Sequence, residues 1–407
     1  MLLKLAWRNV WRNKRRSVIT ILAVAFAAML CLAMRGLQIG TYELNIINSV
    51  ELFSGYLQIQ KKGYQERPSL QKSFRFDDKL RELCAQTGHI VAVTPRVLGD
   101  GLISFRDQSQ GTAIIAVDPQ TELQVSTILT KISAGEMFTK PDGDDIVVGY
   151  KLLDNLKADI GDTVVVLSQG FDGSLGNLKF RISGTLKTGA QELDRMAIVM
   201  GIATAQELLA MYGRINAVAI KLDDVDAIPS VKKSLNNAIA ENNLIAMSWN
   251  EIMPEMEQAI ELDSIGGILF LGILVLIVAF GITNTILMSV TERFREFGVT
   301  LAIGMPQLRL LVQVLLETTF IILIGLVLGN LLGLAINAYM VANPITFGGE
   351  FADLYAEYGF LPQLKSSLAL SIFININLTI FVISLIACIY PLLKVYRLAP
   401  LKGIRYT

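Results

Sequence analysis

Four long, predominantly apolar stretches govern what this chain can fold into: residues 17–39, 264–290, 308–341 and 367–393. Each exceeds the roughly 20 residues a helix needs to cross about 30 Å of hydrocarbon. Lipid offers no partner for backbone N–H and C=O groups, so only helices or closed barrels can cross it. None of the four alternates with period two, so helices are expected. Hydrophobic residues fill 52% of the 407 positions, and they gather in these runs instead of spreading evenly. An A-x-A site at Ala25-Phe26-Ala27 follows a basic start, as in a cleaved leader, but the apolar stretch continues to Leu37. That is longer than a leader's apolar region, so an uncleaved anchor is expected.

Charge at the flanks orients the spans. Lys4, Arg8, Arg12, Lys14, Arg15 and Arg16 precede the first, with no acidic residue among them. Arg293, Arg295 and Arg309 lie between the second and third, and Lys394, Arg397, Lys402 and Arg405 follow the fourth. The loop between the third and fourth carries Glu350, Asp353 and Glu357 instead. The positive-inside rule then puts both termini and the 291–307 loop in the cytoplasm. The expected plan is an amphipathic helix over 1–16, the four spans, an extracytoplasmic domain over 40–263, a short outer loop over 342–366 and a cytoplasmic tail over 394–407. In the first segment Lys4, Arg8, Arg12 and Arg16 recur every four residues while Leu3, Trp7, Val10 and Trp11 gather on another side. Such a helix lies on the inner membrane surface with its tryptophans at headgroup level, as a topology anchor.

The large polar stretch reads as mixed α and β. Strands are predicted over 90–97, 101–105, 112–117, 145–149, 163–168, 179–186, 196–201 and 217–222. Helices are predicted over 77–86, 149–156, 202–212 and 227–241, with a further helix over 249–263 running into the second span. The Gly-rich segment 170–176 lacks the Lys-[Ser/Thr] ending of a phosphate loop and reads as a turn between two strands. Asp142, Asp144 and Asp145 around Gly143 read as a solvated turn.

Little here suggests catalysis. The sequence holds no G-x-x-x-x-G-K-[ST], no nucleophile–base pair and no metal-ligand spacing. One histidine, His89, excludes a His-based zinc cluster, and Cys84, alone in the polar domain, cannot close a disulfide within it. A net formal charge of zero gives no reason to expect nucleic acid. Neither catalytic nor metal-binding residues are therefore assigned. Within the spans, Gly325, Gly329 and Gly333 sit four residues apart, a spacing that lets helices approach closely. Arg35, Asn284 and Glu317 are polar groups in apolar surroundings, costly there unless shielded or paired. In the 291–307 loop, Phe294 and Phe297 stand among Glu292, Arg293, Arg295 and Glu296, followed by Gly298. That is either an apolar knob ringed by charge, the composition of a docking surface, or a solvated loop whose arginines serve topology alone.

The same loop, Val290-Thr291-Glu292-Arg293-Phe294-Arg295-Glu296-Phe297-Gly298 leading to Ala302-Ile303-Gly304, resembles the coupling loop of FtsX-like permeases. Their pattern is V-x-E-R-x-R-E-I-G, then a basic residue, Ala, an aliphatic residue and Gly. The opening Leu5-Ala6-Trp7-Arg8-Asn9 and the ending Tyr390-Pro391, Arg397-Leu398-Ala399-Pro400 and Arg405-Tyr406 are similar to the same family. Val147-Val148-Gly149 with Gly161-Asp162, and Ile182-Ser183-Gly184-Thr185, resemble the periplasmic domain of its MacB and lipoprotein-releasing members. Leu301 stands where the family has a basic residue, and Phe297 where it has Ile.

The resemblance implies the architecture of a type VII (MacB-like) ABC permease: four transmembrane helices and a mixed α/β periplasmic domain, in a bacterial inner membrane. It implies a dimeric ABC ATPase docking on residues 292–298 and holding the ATP and Mg, with no cofactor in this chain. It further implies a second permease subunit, identical or homologous, and contact with membrane lipids. The function implied is mechanotransmission, most like that of permeases that release lipoproteins to a periplasmic carrier. MacB-like efflux with an adaptor, and a signalling scaffold regulating periplasmic hydrolases, are the alternatives.

Overall fold

The computed structural model of the chain describes residues 2–350, 352, 355 and 360–397. Asp353, Glu357, Leu398, Ala399, Pro400, Lys402, Arg405 and Tyr406 lie outside the described residues. The chain divides into two compact units: Met1–Glu43, Ala259–Thr346 and Gln363–Thr407 form one, Leu44–Gln258 and Phe347–Pro362 the other.

The first unit holds the apolar runs. Among the described residues four helices are long and apolar enough to cross a membrane: Lys14–Ser54, Pro254–Glu292, Gln307–Ala342 and Leu370–Tyr396. The first is 41 residues long, about 60 Å at 1.5 Å per residue, twice the hydrocarbon thickness. Hydropathy marks where lipid begins and ends, but the helix continues for as long as other contacts support it. The expected boundary at residue 39 is therefore that of the apolar run alone. Glycines bring the first and third spans together. A Cβ on Gly325, Gly329 or Gly333 would stand 2.7, 2.6 and 2.9 Å from the Cβ atoms of Val24, Ala28 and Leu32. One turn further on, Asn337 donates Nδ2 to the Leu32 carbonyl at 3.1 Å.

Ten strands form the second unit's sheet: β1 (Leu57–Lys61), β2 (Ile90–Phe105), β3 (Gln108–Val117), β4 (Ile132–Gly135), β5 (Asp145–Gly149), β6 (Thr163–Gln169), β7 (Leu175–Leu186), β8 (Ala197–Gly201), β9 (Ala217–Leu222) and β10 (Leu244–Ser248). Two motifs share the long strand β2. Its first half closes an antiparallel set in the order β10-β1-β9-β2, with helices Asp78–Gln86 after β1 and Ile228–Ile239 after β9. That is the split βαβ arrangement. Its second half enters a ring of pairings, β2-β3-β8-β5-β7-β6 and back to β2, so these six strands close on themselves. Closure removes exposed strand edges. Leu57, Val97, Ile103, Val166, Phe180 and Ile220 belong to one apolar core beneath both motifs.

All eight predicted strands are present, but two are one. The predicted strands 90–97 and 101–105 leave a gap over 98–100, yet β2 runs through it. A Cβ on Gly101 would lie 2.6 Å from the Leu167 carbonyl oxygen, so glycine here serves close strand approach. Along β2, between the start of β9 and the end of β6, Asn216 replaces a strand: its Oδ1 accepts from Leu98 N–H (2.8 Å) and its Nδ2 donates to Leu98 O (2.5 Å). The 170–176 segment is a turn between antiparallel β6 and β7, as expected. The predicted 249–263 helix is broken. A short turn, Trp249–Ile252, opens with a Ser248/Glu251 capping box and stops at Met253, and Pro254 begins the next helix. Proline favours the first helical position and excludes its predecessor from the α region.

Candidate functional site

The site is built where four segments of the first unit meet. The N-terminal helix Leu2–Arg12 buries Ala6 and Val10, and Trp7 meets Phe320 of the third span edge-on at 5.5 Å. The second span ends at Glu292. Arg293 leaves helical geometry, and a short helix, Phe294–Ala302, follows. Gly304, at φ +103°, stops it, and Pro306 caps the third-span helix. This helix–break–helix pattern is what glycine at a left-handed residue and proline at a helix start produce.

Glu317 is the hub. Its Oε1 accepts from Asn9 Nδ2 at 2.6 Å and Gln313 Nε2 at 3.2 Å, and its Oε2 accepts from Arg293 Nη1 at 2.7 Å. Both carboxylate oxygens are thus engaged by the N-terminal helix, the third span itself and the start of the short helix. Arg12 pairs with Glu296 at 2.7 Å and Arg16 with Glu292 at 2.6 Å. Arg293 also reaches Glu296 at 3.3 Å and lies 4.9 Å from the centre of the Phe297 ring. Burial works against the Glu296 carboxylate, but the hydrogen bonds and charges of Arg12 and Arg293 outweigh it and hold its carboxyl below the ordinary range. These groups line a polar cavity of about 290 Å³, with Asn13, Ser17 and Ser289 on its walls.

The short helix therefore has two unlike faces, and the expected knob is not the one it presents. Phe294, Phe297 and Gly298 are buried against the bundle, Phe297 to 2% exposure in an apolar cluster that includes Leu310, Val314 and Val395. Aromatic rings beside a cluster of span residues gain more by packing there than by facing water. Glu292, Arg293 and Glu296 are drawn into the ion-pair network. Of the seven expected docking residues, Arg295 alone points outward without such a pairing, and it is joined by Val299, Ala302 and Ile303, the last 82% exposed. Residues 295, 299 and 302 follow helical spacing, a signal the sequence carried. Arg12 and Arg16 enter the sequence reading as topology and Asn9 only within the family-like opening; nothing local marks the three as partners of residues about 280 or more positions away.

The remaining expected polar groups divide. Arg35 donates to Gln38 Oε1 at 2.5 Å and Ser264 Oγ at 3.3 Å, while Gln38 and Tyr42 donate to Asp263. It belongs to a polar cluster joining the first two spans. Asn284 lies on the exposed face of the second span. A pair missed in the sequence, Asn330 and Asn377, exchanges amide hydrogen bonds of 2.6 and 2.8 Å between the third and fourth spans.

Among the described residues, four helices long and apolar enough to cross a membrane, a mixed α/β domain between the first two and a two-faced helix between the middle two define a multi-pass membrane protein. Known proteins give the family. The MacB-like periplasmic core domain profile matches residues 17–238, more than half of the chain, and that of the FtsX-like permease C-terminal domain matches residues 268–400. The chain belongs to the FtsX-like ABC-transporter permeases with a MacB-like periplasmic core. Among its relatives, the lipoprotein-releasing system transmembrane protein LolC of Xylella fastidiosa is 24% identical over 327 residues, 78% of each chain. The macrolide export ATP-binding/permease protein MacB of Bdellovibrio bacteriovorus is 25% identical over 348 residues, 79% of this chain and 51% of that one. The crystal structure of the periplasmic region of MacB from Actinobacillus actinomycetemcomitans aligns with 52% of this chain and 97% of its own, at 15% identity and a TM-score of 0.36.

Proposed function

We propose that this permease works with a separate dimeric ATPase in the cytoplasm and a second permease subunit, and that it releases lipoproteins from the inner membrane to a periplasmic carrier. The observation that carries the mechanical part is the two-faced helix Phe294–Ala302. Its outer face, with Arg295, Val299 and Ile303, is open to a partner, while its inner face is bound to the bundle by Phe297 and the Glu317 hub. A push on the outer face then moves the N-terminal helix and the second and third spans together. Packed helices carry such rigid-body shifts without local deformation.

Orientation follows the flanking charges: the short helix and both termini cytoplasmic, the α/β domain on the outer side. Lipoprotein release is preferred to efflux because the relatives named for it match along the same share of both chains, whereas the MacB relative matches over about half its length. The test is purification of the native complex with its ATPase in lipid nanodiscs, then mass spectrometry of bound material before and after ATP. Acylated protein that leaves on ATP addition supports the reading. A complex without lipoprotein but holding an adaptor or a hydrolase overturns it in favour of efflux or signalling.

A further inference from the structure

The helix that carries the first span ends in an unusual way. After Ser49 it widens into a π turn, Val50–Ser54, and stops at Gly55, whose φ is +73°. A helix end leaves carbonyls without intrahelical partners, and here two are taken by groups of the α/β unit. Thr127 donates its backbone N–H (2.7 Å) and its hydroxyl (3.1 Å) to the Glu51 carbonyl. Arg96 of β2 donates Nη1 to the Phe53 carbonyl, with its guanidinium 4.2 Å from the centre of the Phe53 ring. The rest of the fork grips Glu122, Nε to Oε2 at 3.0 Å and Nη2 to Oε1 at 2.5 Å, and Ser126 Oγ donates to the same carboxylate at 2.5 Å. The Arg96 and Glu122 side chains are both 0% exposed.

Stability is a poor reason for such a pair. Both groups lose their hydration, and well-packed apolar residues of similar volume commonly hold such a site as firmly or more so. What the pair supplies is direction. The rigid planar fork binds three elements at once: β2, the short helix Pro119–Val125 that carries Glu122, and the last turn of the long helix. Its charge also faces the negative end of that helix. A π turn, with its i→i+5 bonds, is a local irregularity common at functional sites and would otherwise be a weak link.

We propose that Arg96, with Glu122 as counter-ion, is a positioning residue that fastens the outer end of the first-span helix to the α/β domain. Movement of the helix then reaches the domain instead of being dissipated in the π turn. This rests on the transmission reading above. The test places spin labels at Leu175→Cys on the α/β domain and Leu370→Cys at the start of the fourth-span helix, 74% and 71% exposed sites. The native cysteines 31, 84 and 388 are buried, and burial pushes the Cys84 thiol up to about 11, so it stays protonated and unreactive at neutral pH.

The label distance is measured in the complete complex before and after trapping with ATP and vanadate. In the Arg96→Met/Glu122→Leu double variant, ATP turnover and melting temperature should be kept while the nucleotide-driven distance shift is lost. Should that variant fail to fold, Arg96→Lys is read the same way, since an ammonium cannot span both the carboxylate and the Phe53 carbonyl. An unchanged shift in the folded variant overturns the proposal. So does a fall in turnover parallel to the shift, which would make Arg96 part of assembly. If the unsubstituted complex shows no shift at all, the transmission reading fails first and this inference falls with it.

Discussion

Phe297, on the short helix, and Ile303, capping its end, sit six residues apart and should behave as opposites. Truncating Phe297 to Ala removes a ring from the bundle cluster, and cavities of that size cost about 3–5 kcal/mol. The variant should melt at lower temperature in detergent, with or without ATPase. Ile303→Ser changes a side chain that is 82% exposed, so the fold should be unaffected. Loss of one apolar anchor should instead weaken ATPase binding about tenfold, the equivalent of ~1.4 kcal/mol. Titration of ATPase onto nanodisc-held permease reads both. If Phe297→Ala melts normally and only ATPase binding suffers, the inward assignment of that ring is wrong. Sequence could name both residues but not sort them, because an aromatic among charges has the same composition whether it faces a core or a partner.

At the scale of elements, the glycine ladder is the part of the bundle most open to test. Gly329 leaves room for Ala28 and for the Ala25 carbonyl, 2.6 and 2.7 Å from where a Cβ would be. Backbone and a methyl group cannot yield as a flexible side chain would. Gly329→Val should therefore part the first and third spans and lower the melting temperature, by an overpacking cost of about 1–3 kcal/mol or more. Gly272→Val, where a Cβ meets nothing within 4 Å, is the control and should leave the isolated permease unchanged. Equal melting of the two would remove the ladder from the packing argument. The four-residue spacing raises the expectation of close approach, and only the structure names Val24, Ala28 and Leu32 as the side chains facing those glycines. The same holds in the α/β unit: the strands were legible from β-branched runs. The missed strands β1, β4 and β10 are short, and their pairing with distant strands is what makes them strands.

For the whole first unit, the Glu317 hub joins segments 308 positions apart. Glu317→Gln keeps an acceptor for Asn9 but leaves Arg293 only its longer, 3.3 Å pairing with the half-exposed Glu296, in a site where the Arg293 and Glu317 side chains are mostly buried, 15% and 12% exposed. Breaking such a pair costs about 3 kcal/mol or more, so the variant should melt lower and lose ATP-stimulated release. Arg293→Gln/Glu317→Gln should recover part of that stability, and a double-mutant cycle measures the coupling. Strictly additive losses would mean the two residues act separately. By itself the sequence determined the number of apolar spans, the mixed α/β character of the domain and the family, because apolar length, strand-forming runs and a contiguous motif are all local properties. Tertiary structure alone decided which face of the short helix looks outward, which arginines leave the topology count to become ion pairs, and that Arg96 and Glu122 close on the end of a helix. Each of those depends on which distant groups are brought within about 3 Å, the reach of a hydrogen bond.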